Sequence, residues 1–198
     1  MAKTTELEGV NEILMSAGIS EVADLGASTL ANVDEANQAY NVLQRIDREI
    51  QSGGLHCNVE RRVVLSPVAN EITIDSDILR VDPSNYRYPE ICMRDDKLYN
   101  LTDQTSTFTS DVTVDLVRQI PFEDLPEHVR RYIVIRSTRV FVLRYTRDTE
   151  LYQALREDEL HARQQFNTGE IQNSDTNMLD GYPANRFRSR APVNQVVY

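Results

Sequence analysis

The 198-residue sequence has no tryptophan, two cysteines, three histidines and seven glycines. It also lacks any apolar run of about 18 residues, so no segment is expected to span a membrane. Residues 1–8 are short and polar, without the apolar stretch of a signal peptide, and no export is expected. Cys57 and Cys92 fall in segments that read as strands. Without a sign of export, two separate buried thiols are expected rather than a disulfide. His56, His128 and His161 are scattered and show no metal-ligand spacing, so neither a metal nor a cofactor is expected. The glycine-rich phosphate loops, the GxSxG nucleophile elbow and the HExxH zinc motif are all missing. His56 beside Cys57 makes a poor catalytic pair, because neighbours on a strand point to opposite faces.

Basic residues are also in short supply. Lys plus Arg number 21 against 31 Asp plus Glu, a formal net charge of -10. A general nucleic-acid binder presents a basic footprint, and this composition argues against one. The imbalance is uneven. Residues 182–198 hold Arg186, Arg188 and Arg190 and no acid, so a basic tail follows an acidic body. Forty per cent of residues are hydrophobic, enough for one sizeable core or two small lobes sharing one.

What is present is periodic at both ends and alternating in the middle. Leu7, Val10, Ile13, Leu14 and Ala17 predict a helix over residues 6–17, with Thr5 and Glu8 as a capping box. Residues 19–32 read as a connection. A second helix is expected over 34–51, with Ala36, Tyr40, Leu43, Ile46 and Ile50 on one face and Gly53-Gly54 at its end. Short strands are expected around Val59–Leu65, at Ile72-Thr73-Ile74, at 78–81, in a hairpin turning at Asp95-Asp96, and over 111–116. Helical spacing returns over 127–144, where Val129, Tyr132, Ile133, Arg136, Val140 and Leu143 trace the expected inner side. It returns again over 149–167. The fold class is therefore α+β: a four-helix bundle formed by N- and C-terminal helix pairs, with an inserted small antiparallel β domain and an extended C-terminal tail. The divisions fall at residues 1–54, 55–120, 121–170 and 171–198.

Two sets of charged residues invite a function. Arg130, Arg131, Arg139 and Arg144 give the third helix an unusual basic content, and Glu157, Asp158 and Glu159 form an acidic run on the fourth. Either the two helices pair within one chain, or these charges meet an acidic partner, nucleic acid or further copies of the chain. Paired carboxylates could also hydrolyse a glycan. Glu60, Glu71, Asp75 and Asp77, near turns of the β region, are the first candidates, and solvated edge residues are the plainer reading.

Several segments resemble the tail tubular protein A family of short-tailed bacteriophages. They are Val10-Asn11-Glu12-Ile13-Leu14 with Gly18, then Ile50-Gln51 to Gly53 with Asn58 and Glu60. Further on come Phe122-Glu123-Asp124-Leu125-Pro126-Glu127 with Arg130, Tyr132-Ile133 and residues 136–141, and finally Asp175 with Asn177-Met178-Leu179. Leu79-Arg80-Val81-Asp82 and Leu98-Tyr99 add weaker signals. Where the family often places aromatic residues, this chain has Leu55 and Cys57.

The resemblance implies a non-enzymatic virion protein, assembled in the host cytoplasm. It implies a homo-oligomer, a dodecameric adaptor ring between the portal protein and the tail nozzle protein (tail tubular protein B). The ring would support the tail fibre, with genomic DNA passing through its channel without specific binding. On that reading Arg130, Arg131, Arg139, Glu157, Glu159, Arg186, Arg188 and Arg190 are expected at subunit or portal interfaces. The alternative is a cell-wall glycan hydrolase of the phage tail.

Overall fold

Thr5 and Glu8 do cap the first helix. The Glu8 N–H donates to Thr5 Oγ1 at 3.2 Å and the Thr5 N–H to Glu8 Oε2 at 2.9 Å, which starts α1 at Glu6–Ser16. These contacts come from a computed structural model that describes residues 3–84, 90–146 and 148–173. The connection expected to be irregular holds a short helix, α2 (Ala27–Asn32). Asp24 Oδ1 accepts from the Gly26 N–H and the Thr29 hydroxyl and so organises its start. Next come α3 (Asp34–Ser52), α4 (Glu127–Tyr145) and α5 (Thr149–Asn173). α5 continues past the expected end at Asn167 and through Gly169.

Between the helices lie β1 (Val59–Leu65), β2 (Ile78–Pro83), β3 (Ile91–Arg94), β4 (Lys97–Asn100) and β5 (Val112–Arg118). β5 is the centre of a three-stranded antiparallel sheet in the order β1-β5-β2. Its alternation buries Val112, Val114 and Leu116, as the sequence pattern requires. β3 and β4 form a hairpin, and Asp95 and Asp96 both take positive φ, the conformation of a tight two-residue turn. The expected strand at Ile72-Thr73-Ile74 is not a ladder. A single bridge, Thr73 to Lys97, joins it to the hairpin, while Ile72 and Ile74 are buried.

The described residues form two cores. The helical one draws Val10, Ile13 and Leu14 from α1, Ala39, Leu43 and Ile46 from α3, and Val129, Ile133 and Phe141 from α4. The second lies in the β region around Val81, Leu98, Val114 and Leu116. The helical layer is less symmetric than a bundle of four equal helices. α1, α3 and α4 share the core, and α5 lies along α4 with Ala162 as its one buried residue. α1 comes so close to α4 that a Cβ on Gly9 would stand 2.9 Å from Val134 Cγ2. Because α4 is packed on several sides, its buried set differs from the expected single face. Phe141 and Val142 are buried and Leu143 is exposed.

A polar joint ties the end of α3 to the sheet. Gln51 is fully buried. Its amide nitrogen donates to both Asp47 oxygens and to the Ile120 carbonyl, and its oxygen accepts from the Ile120 N–H at 2.9 Å. Asn58, also buried, donates to the Gln51 and Arg118 carbonyls at 3.0 Å. Every arm of both amides is thereby used, which is what burial demands.

Candidate subunit interface

Each charged residue expected at an interface can be placed from its surroundings. Arg130 is not on the surface, being 1 % exposed at the start of α4. Its Nη1 donates to the Thr4 carbonyl at 2.8 Å and its Nη2 lies 3.3 Å from Glu127. Burial pushes the Glu127 carboxyl up. Hydrogen bonds from Thr4 and the nearby Arg130 and Arg131 outweigh that and hold it below the usual carboxylate range. Arg130 therefore ties the chain start to α4 within a single chain.

Arg139 gives the same answer. Its Nε pairs with Glu159 of α5 and its Nη1 donates to the Tyr152 hydroxyl at 3.1 Å. Of the two readings the sequence left open, this pair follows the one within a single chain. Arg131 is different. It stays on the surface, 45 % exposed, and pairs with Glu12 of α1 at 2.7 Å. Glu157 is exposed and forms no ion pair among the described residues. Arg186, Arg188 and Arg190 lie outside the described residues.

A second polar contact holds the far end of α5. His128 Nε2 lies 3.0 Å from Glu170 Oε1, and Glu170 Oε2 accepts from the His56 N–H at 2.8 Å. Phe166 stacks on Tyr132 with ring centroids 4.9 Å apart. A Cβ on Gly169 would meet the His128 ring at 2.5 Å, so a glycine is needed for α5 to come this close. The residues of α5 that face α4 recur at Tyr152, Leu155, Glu159, Ala162 and Phe166. This alternating spacing of three and four leaves the opposite side of the helix open.

The carboxylates considered for hydrolysis are tied up in ion pairs. Glu60 and Asp77 bind Arg118, Asp75 lies 3.9 Å from the same guanidinium, and Glu71 holds Lys97 at 2.7 Å. Their surroundings are those of solvated sheet-edge pairs, with no carboxyl set apart as an acid. Cys57 and Cys92 are free thiols. Cys57 corrects the expectation of two buried thiols in strands, since it is exposed and sits in a turn before β1. No helix among the described residues is long and apolar enough to cross a membrane.

The sequence pattern of the tail tubular protein family matches residues 7–176, a span that takes in both cores. The chain is 29 % identical over 175 residues to tail tubular protein A of Klebsiella phage KP34, covering 82 % of this chain and 90 % of the relative. The matched span includes the segments from Val10 to the end of α5, and the protein belongs to the tail tubular protein family, structural proteins of the bacteriophage tail.

Proposed function

We propose that the chain is the head-to-tail adaptor of its virion. Copies assemble, in the host cytoplasm, into a dodecameric ring joining the portal to the nozzle protein (tail tubular protein B). The ring supports the tail fibre and surrounds the channel through which DNA is ejected. The observation that carries this reading is the family match itself, which runs through helices and sheet alike and so concerns the whole wedge of protein rather than one module.

The charge supports it. A net charge of -10 per copy disfavours lasting contact with phosphates, because neutralising phosphates is what creates non-specific affinity for DNA. An acidic channel wall lets DNA pass without holding it. Arg131 and Glu157 remain candidates for contacts between copies, and Arg186, Arg188 and Arg190 for a strap to a neighbour or the portal. Contacts of this kind weaken as salt screens them. Electron microscopy of the purified chain, alone and mixed with its portal protein, tests the reading. Rings with an axial channel seated on the portal are expected. A chain that neither forms rings nor binds the portal would overturn it.

A further inference from the structure

The end of α5 and the start of β1 border an open cleft of about 640 Å³. Leu55, His56, Val59 and Arg61 line it from the α3–β1 connection and β1, and Glu170 and Ile171 from α5. Leu55 is buried, Val59 half-buried and Ile171 65 % exposed, so the cleft has apolar surface. Glu170 is engaged, lying against His128 Nε2 and accepting from the His56 N–H. Arg61 is exposed and forms no ion pair among the described residues. A bulge holds it there. The ladder with β5 slips between Glu60 and Val63, so Arg61 and Arg62 both oppose Asp115. Arg62 takes a φ of 58° and gives its N–H to Asp115 Oδ1 at 2.8 Å. The Ser84 hydroxyl takes the same oxygen, and both guanidiniums act on Asp115 through space without pairing with it.

The chain itself supplies an occupant. α5 is described to Asn173, two residues beyond Ile171, so residues 174–181 begin at the rim of the cleft. A residue spans at most about 3.6 Å of extended chain, which puts Asp175 within about 7 Å of Asn173. Between Glu170 and Arg186 the only charged residues are Asp175 and Asp180, and Met178-Leu179 is the first apolar pair after Ile171. The run therefore carries anions for the unpaired Arg61 and apolar side chains for Leu55, Val59 and Ile171. Attachment favours it over a free ligand of like chemistry, because a short flexible tether gives an effective concentration on the order of mM.

We propose that residues 174–181 fold back into this cleft of their own copy. Asp175 pairs with Arg61, and Met178-Leu179 rests on Leu55, Val59 and Ile171. The contact ties the end of α5 to the β region and gives the tail a fixed root. The basic run of Arg186, Arg188 and Arg190 then leaves the copy beside β1, which sets where any strap to a neighbour or the portal starts. The contact lies within one copy and does not rest on the adaptor reading.

Hydrogen exchange of the full-length chain, read by mass spectrometry at high and at low protein concentration, tests the contact. Amides of residues 174–181 should exchange more slowly than in the urea-unfolded chain, and equally so at both concentrations. Arg61→Glu and Asp175→Arg should each speed that exchange by about threefold or more, and the two changes together should recover most of the protection. Arg61 is exposed on its strand, and circular dichroism checks that each variant folds. Residues 174–181 exchanging as fast as in the unfolded chain overturn the contact. So does protection that neither single variant disturbs, or a double variant no better than the singles. Protection that disappears on dilution assigns the cleft to the tail of a neighbouring copy, and the fold-back within one copy is then wrong.

Discussion

α4 and α5 are both long, charged helices that lie side by side, yet they are held by different forces. α4 buries nine residues, including Arg130, and α5 buries Ala162 alone. α4 is fixed by the apolar core it shares with α1 and α3. α5 is held by one stripe of side chains and by polar contacts at two places, Arg139 with Glu159 and Tyr152, and Glu170 with His128 and the His56 N–H. A helix that contributes so little to the core of its own chain has surface to give to another. On this account stability resides in α4 and assembly in the outer side of α5.

The largest expected effect breaks the core side of that contrast. Ile133→Ala in α4 removes a fully buried side chain and should cost about 2–5 kcal/mol in urea unfolding. A loss below about 1 kcal/mol would show that α4 is not the keystone. Gly169→Ala places a methyl group against the His128 ring, and the end of α5 must lift to admit it. The expected cost is about 1–3 kcal/mol, with faster hydrogen exchange confined to the last turns of α5. Exchange spreading through α4 would erase the distinction between the two helices.

Asp47 tests the joint between the two cores. Burial pushes its carboxyl up to about 6 from an ordinary 3.8, against the hydrogen bond from Gln51 that lowers it. A raised carboxyl favours the protonated form in the folded state. Its contribution is present in full below about pH 4 and is lost as pH rises through about 6. Asp47→Asn should remove that slope and leave the protein about 1–3 kcal/mol more stable at pH 8. Equal stability of the two proteins across this window would contradict it. The smallest effect is predicted for Leu160→Ala on the open side of α5. It should change the stability of the single chain by less than about 0.5 kcal/mol and still weaken assembly.

The sequence made much of the scaffold legible because local chemistry decided it. Thr5 and Glu8 announced α1, the alternation of Val112, Val114 and Leu116 announced β5, and Asp95-Asp96 announced the hairpin turn. Contacts distant along the chain were not legible. Arg130 reads as a solvated base until the fold brings the Thr4 carbonyl and Glu127 to it. The role of Gln51 depends on Ile120 and Asn58, which only the fold assembles around it. α2 escaped notice because six residues are too short for periodicity to show, and Asp24 rather than an apolar stripe sets its start. At the candidate interface, periodicity indicated which helices carry charge. It did not distinguish arginines paired inside the chain, such as Arg139, from those left unpaired, such as Arg45 and Arg144.

A cryo-electron microscopy reconstruction of the assembled adaptor tests the central claim most directly. The account predicts a ring with an axial channel in which the outer side of α5 is covered by the next copy, with α4 packed inside each copy as described. A ring whose copies meet elsewhere, leaving the outer side of α5 open to solvent, would contradict it.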